Sequence, residues 1–185
     1  AWDNVYLTAG ELAVIVPIPE AVLDDAEFDI MGEITPRVNE AIGQCVDSAT
    51  IFGYNRPAEW QSDIITLARQ AGNNVADTGD KDLYDKLLGE GGVFSKVEED
   101  GYMVSGCLSA LGMRAKLRGL RATDGALIFK SDMQGSTQYA LDGAPMYFPT
   151  NGSYDKNIAQ LVAGDFKQAV YAIRQDITVT VSYTH

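Results

Sequence analysis

The residue types that do chemistry are present in this sequence, but they do not stand at spacings that would let them work together. The one histidine, His185, is the last residue. A Ser-His or Cys-His dyad needs a base held by its neighbours, and a chain-terminal side chain is seldom held that well. Zinc lacks ligands for the same reason. Gly89-Glu90-Gly91-Gly92 lacks the Gly-Lys-Ser/Thr ending of a phosphate loop and does not meet GxGxxG, so it reads as a turn or a weak helix. Ser153 and Lys156 match S-x-x-K, a serine-nucleophile pattern, but neither SDN nor KTG accompanies them, and the match reads as chance. Asp77, Asp80 and Asp82 miss the calcium-loop spacing and its terminal Glu, which leaves a solvated loop with a helix cap. Asp24, Asp25, Glu27 and Asp29, and later Glu98, Glu99 and Asp100, could do acid–base work if buried. Runs like these at helix ends are usually solvated. Asn151-Gly152-Ser153 is formally a glycosylation acceptor, without meaning unless the chain is secreted. Cys45 and Cys107 make no disulfide framework. Cys45 reads as a small core residue and Cys107 as part of a buried strand. Neither a catalytic residue, a cofactor site nor a metal site is expected.

Composition narrows the classes further. The 185 residues suffice for one sizeable core or two small ones. Hydrophobic residues at 46% and charged residues at 22% describe a globular chain and not a disordered one. No stretch approaches the roughly 18 apolar residues of a membrane span, and no basic-then-apolar secretion signal is visible. The first residue is Ala1, so a processed or trimmed product is expected. A net charge of −12 repels phosphate backbones, which argues against sequence-specific DNA binding. The basic residues cluster at Arg114, Lys116, Arg118 and Arg121, near the end of an expected helix. A solvated helix face is the reading there, with a partner-binding patch as the alternative. The aromatic residues are scattered with no basic interleaving, so no single-strand nucleic-acid platform is expected.

The elements that would position any site are clearer than the site. From Asp29 to Phe52, the apolar Ile30, Ile34, Val38, Ile42, Cys45, Ala49 and Phe52 recur at three- and four-residue spacings. Glu33, Arg37, Glu40, Gln44 and Asp47 follow the same period on another face. A helix of that length is about 36 Å long. Pro36 lies within it, which predicts one kinked helix or two nearly collinear ones, ended at Gly53. Upstream, residues 4–19 read as a strand with one face buried, at an edge or strand end because of Pro17 and Pro19. A short helix is expected over 20–26. Downstream, helices are expected over 63–70, from a cap at Asp80 through Leu88 with a weak continuation across the glycines to Val97, and over 109–120 with Leu111, Ala115 and Leu117 inward. Strands are expected over 102–108, 126–129, 146–148, 159–166 and 169–183. A turn is expected at 123–125 and a polar loop over 130–139. The mixture lacks regular βαβ alternation, so the class is α+β.

The order of these segments resembles the major capsid protein of tailed bacteriophages, with its Hong Kong 97-like fold. LAVIVPIPEAVLDDAEFDI leading into the long helix resembles that family's strand and spine helix. VEEDGYMVSGCLSALGMRAKLRGLRATDGALIF resembles the middle of its axial domain. LDGAPMYFP resembles the Leu-x-Gly-x-Pro segment, and LVAGDFKQAVYAIRQDITVTVSYTH resembles the Gly-Asp-Phe strand pair returning to the periphery. The N-terminal arm, the extended loop and the last peripheral elements of that family are absent from these 185 residues, so a core fragment or a protein trimmed at both ends is expected, and no cross-linking residue is carried over.

The resemblance implies a division into residues 1–56, part of a peripheral domain with the spine helix; 57–175, an axial domain with a central mixed sheet flanked by helices; and 176–185, a strand returning to the periphery. It implies a non-enzymatic shell subunit that assembles with itself into pentamers and hexamers around double-stranded DNA. The DNA would be held as non-specific content, with portal, scaffold or decoration proteins as further partners and no membrane. It implies a place in the virion capsid, with assembly in the bacterial host cytoplasm. The loop Ser131, Asp132, Met133, Gln134, Gly135, Ser136, Thr137 and Gln138 aligns with the axis-facing position and is the expected subunit contact. Two alternatives stand beside this reading: an encapsulin-type nanocompartment shell, and a small acidic hydrolase or binding domain, which would need a deep pocket lined by carboxylates of raised pKa.

Overall fold

In the computed structural model, which describes residues 6–19, 29–78, 82–120, 139–175 and 177–178, the apolar stripe forms one helix, α1, over Ile30–Phe52. Its 23 residues reach about 34 Å. Pro36 lies inside it without ending it. Proline has no N–H for the carbonyl one turn back; beside it the Thr35 hydroxyl donates to Met31 O at 2.7 Å. Gly53 closes the helix in the left-handed region at φ 77°, its N–H bonding Ala49 O at 3.1 Å while Tyr54 N–H reaches Ser48 O at 3.3 Å. Only glycine takes that conformation without a Cβ penalty. The expected stripe is its more protected face. Ile30, Ile34, Val38, Ile42 and Cys45 are half-buried and Ala49 and Phe52 buried, while Glu33, Arg37, Glu40 and Gln44 are exposed.

Among the described residues four short α-helices follow: α2 (Ile64–Gln70), α3 (Leu83–Leu88), α4 (Val93–Glu99) and α5 (Met113–Arg118). Asp63 caps α2 by accepting from Thr66 N–H at 2.8 Å. The cap residue of α3 is Asp82, and Asp80 lies outside the described residues. The glycines do more than weaken the expected continuation toward Val97: they break it into α3 and α4. A Cβ on Gly92 would stand 2.7 Å from Gly89 O and 2.8 Å from Asp85 O, and Gly91 sits at φ 70°.

Among the described residues the sheet has four strands in the order β2-β3-β1-β4, with β1 Gly106–Ser109, β2 Ala140–Leu141, β3 Ala144–Tyr147 and β4 Leu161–Gly164. β1 runs parallel to β3, pairing Cys107 with Met146, and antiparallel to β4, pairing Cys107 with Ala163. β2 and β3 form a hairpin through Asp142-Gly143, both at positive φ (46° and 78°), as a tight two-residue turn requires. Side chains alternate across the strands. Leu141, Ala144, Met146, Cys107 and Ser109 are buried, while Ala140, Pro145 and Tyr147 are exposed. The core gathers Leu87, Phe94, Met113, Leu117 and Tyr139 against that face.

Several expectations change. Residues 6–19 form no strand and are exposed apart from the half-buried Ile18, with Ile15 91% accessible. A strand needs a ladder partner for its N–H and C=O groups, none pairs with it among the described residues, and Pro17 and Pro19 have no donor to offer. Residues 169–175 and 177–178 likewise form no strand and are exposed. The strand expected from 102 begins at Gly106, and the helix expected from Ser109 begins at Met113, because Ser109 belongs to β1 and donates to Gln160 O at 2.7 Å. Met113 and Leu117 face inward, whereas Leu111 is 52% accessible and Ala115 exposed. The short helix at 20–26, the turn at 123–125, the strand at 126–129, and all of the loop at 130–139 but Tyr139 lie outside the described residues.

Candidate functional site

The expected subunit contact, residues 131–138, lies outside the described residues, as do residues 121–130 before it. The nearest described helix upstream is α5. Its six residues carry Arg114, Lys116 and Arg118. Arg114 and Arg118 are four apart and so share a face. Downstream, Tyr139 directly follows the loop and is buried at 6% accessibility just before β2. The Arg114 guanidinium carbon lies 4.5 Å above the Tyr139 ring centre and 5.8 Å from that of Phe148. Tyr139 and Phe148 meet edge-to-face at 5.5 Å. Arg118 Nη1 donates to the Tyr139 hydroxyl at 3.4 Å. Hydrogen bonding from Arg114 is the chief reason the Tyr139 hydroxyl titrates below the usual tyrosine range; burial opposes it and the charges of both arginines add to it. A cation held over a desolvated ring contributes about 0.5–2 kcal/mol. The solvated-face reading is thus wrong for Arg114, which is half-buried and ties α5 to β2. The i, i+4 spacing of the two arginines was the signal available in the sequence. Lys116 donates to Gln160 Oε1, and Arg121 lies outside the described residues.

A second constellation joins the end of α1 to the sheet. Asn151 Nδ2 donates to Asp47 Oδ2 at 3.1 Å, and Ser48 Oγ donates to Ser153 O at 3.4 Å. Tyr54 donates to Asp155 Oδ2 at 2.7 Å, which is the first reason the Asp155 carboxyl sits below its ordinary range. Phe52 meets Tyr154 edge-to-face at 5.3 Å, and the Tyr154 hydroxyl reaches Leu108 O of β1 at 3.3 Å. Burial pushes the Tyr154 hydroxyl up. The chain from Asn151 to Asn157 therefore bolts helix to strand. Gly152 to Asn157, with Ser48 and Tyr54, line a shallow depression of about 310 Å³.

The remaining chemistry candidates among the described residues resolve into structure; His185, Asp24, Asp25, Glu27 and Asp80 lie outside them. Ser153 is buried and donates to Asn151 Oδ1 at 2.6 Å, while Lys156 is exposed, so S-x-x-K forms no dyad. Asp77 pairs with Lys86 at 3.2 Å. Glu98, Glu99 and Asp100 are exposed; Glu99 accepts from Ser95 and Asp100 from Asn73. Burial pushes the Cys107 thiol up to about 12, which leaves it inert as a nucleophile. Cys45 is half-buried. Among the described residues no group of acidic, His and Cys side chains could hold a metal, and no helix is long and apolar enough to cross a membrane. Every described carboxyl that departs from its ordinary pKa (Asp63, Asp77, Asp155 and Asp165) is lowered. An acid catalyst needs the opposite shift.

A long helix beside a small mixed sheet, held by aromatic and polar joints, is a frame. The model of the phage capsid family matches residues 1–185. The chain belongs to the phage capsid family. Among solved structures it is similar to a chain of Microbacterium phage Oxtober96, at 36% identity and a TM-score of 0.72, over 82% of this chain and 50% of that one. It is also similar to a chain of Mycobacterium phage Cain (30%, 0.66, 82% and 48%) and to one of Mycobacterium phage Bobi (29%, 0.67, 82% and 49%). The chain thus spans about half the length of the solved chains it matches. No curated protein matches it. The α+β class and the capsid fold expected from the sequence both agree with these likenesses.

Proposed function

We propose that this chain is a structural, non-catalytic subunit of a phage capsid. It associates with copies of itself into pentamers and hexamers that enclose double-stranded DNA as non-specific content. The observation that carries the reading is the family match across residues 1–185, joined to fold similarity with phage chains at up to 36% identity. Large exposed apolar side chains support self-association: Tyr6, Ile15, Met103 and Tyr171 are each more than four-fifths accessible. In this reading residues 1–56 belong to a peripheral domain, 57–175 form the axial domain and 176–185 return to the periphery. The loop 131–138, which runs directly into Tyr139, makes contacts around the symmetry axes. Portal, scaffold or decoration proteins meet the shell in the host cytoplasm, and the mature protein resides in the virion.

Electron microscopy of the full-length gene product after expression tests this. Closed shells or rings are expected. A monodisperse monomer at every concentration would refute the proposal.

A further inference from the structure

The helix–sheet joint contains a labile covalent unit. Asn151-Gly152 is the sequence's one Asn-Gly pair, and glycine leaves its own nitrogen unhindered for attack on the preceding side chain. We propose that Asn151 is a deamidation site guarded by the fold, and that its conversion weakens the joint between α1 and the sheet by turning its bond to Asp47 into a repulsion. In the reaction the Gly152 nitrogen attacks Asn151 Cγ and gives up its proton. A C–N bond forms to Cγ, and the side-chain nitrogen leaves as ammonia. Water then opens the resulting succinimide, to aspartate or isoaspartate at position 151. No oxidant or cofactor is needed.

In the folded chain both ends of the carboxamide are held. Its nitrogen donates to Asp47 Oδ2 at 3.1 Å. Its oxygen accepts from Ser153 N–H at 3.1 Å and from Ser153 Oγ at 2.6 Å. Turning Cγ toward the Gly152 nitrogen breaks these bonds, and Ser153 is buried at 3% accessibility, so water cannot readily replace them. The product also reverses the joint's electrostatics. The donor facing Asp47 becomes a carboxylate, setting two like charges at hydrogen-bond distance. Once converted, the joint cannot re-form as before.

The test is mass spectrometry of residues 151–153 during mildly alkaline incubation of the folded chain, the urea-unfolded chain and Ser153→Ala. Deamidation in the folded chain should be at least about tenfold slower than in the unfolded one, equivalent to about 1.4 kcal/mol in the barrier, and Ser153→Ala should recover part of the unfolded rate. Equal rates in folded and unfolded chains would overturn the guarding. Separately, Asn151→Asp should lower the melting temperature and Asp47→Asn combined with Asn151→Asp should restore it. If Asn151→Asp melts with the wild type, or if the double variant is no better than the single, the electrostatic consequence is wrong. Neither arm depends on shell assembly.

Discussion

Leu117 and Leu111 make opposite demands on the structure, and truncating each to alanine separates them. Leu117 is fully buried, at 0% accessibility, among Leu87, Phe94, Met113 and Tyr139. Leu111 lies in the turn two residues before Met113, outside α5, and is 52% accessible. Leu117→Ala removes three carbons from that environment. At about 0.8 kcal/mol per buried carbon the transfer loss is about 2.4 kcal/mol. The residual cavity raises the total to about 3–4 kcal/mol, within the range for buried leucines. Leu111→Ala forfeits half of the transfer loss and leaves no cavity, so about 1 kcal/mol is expected. Urea unfolding followed by circular dichroism reads the difference. With m near 2 kcal/mol/M, the Leu117→Ala midpoint should fall by about 1.5–2 M and that of Leu111→Ala by about 0.5 M. Similar losses for the two, or a larger one for Leu111→Ala, would refute the orientation of α5 and the core built on it.

Two further outcomes are expected. Asp77 titrates below its ordinary range, first because Lys86 donates to it; burial opposes this, and Gln160 and Lys116 add to it. The unfolded chain therefore binds that proton more readily. The stabilisation is complete above about pH 4 and disappears as pH falls through the lower folded value. Asp77→Asn should cost at most about 1 kcal/mol near pH 6, since Asp77 is largely solvated, and its melting temperature should converge with the wild type's in stronger acid; a constant gap at all pH values would contradict the pairing. Pro36→Ala restores an amide to the interior of α1 at an exposed position. Helical ellipticity and melting temperature should rise, by up to about 3 kcal/mol in stability, and a fall would show that the proline is needed where it stands.

How legible each element was depends on where its partners lie. α1 could be read in detail because its period, its proline and its closing glycine are all local. The break between α3 and α4 was half-legible: the glycines signalled weakness, but the backbone carbonyls that leave Gly92 no room for a side chain come from the folded turn. The β2–β3 hairpin carries its signal in Asp142-Gly143, but a two-residue β2 is too short to show a strand period, so only the apolar run around Met146 reads as a strand. Residues 6–19 misled in the other direction. Their β-branched composition suits a strand, but composition supplies no neighbour, and the prolines remove donors from what remains. Arg114 misled through its charge, since a cation counts as solvent-facing until two aromatic rings from distant positions close over it.

The sequence by itself determined the long helix and its apolar face, the α+β class, and the segment order that marks the family. These rest on periodicity, composition and short-range turn chemistry, which act within a few residues. Tertiary structure alone decided which residues fill the core, that the loop from Asn151 to Asn157 bolts α1 to β1, and that Arg114 stacks on Tyr139 and Phe148. Each of these brings together groups far apart in sequence. Their free energy comes from desolvation and contact geometry, neither of which exists until the chain has folded.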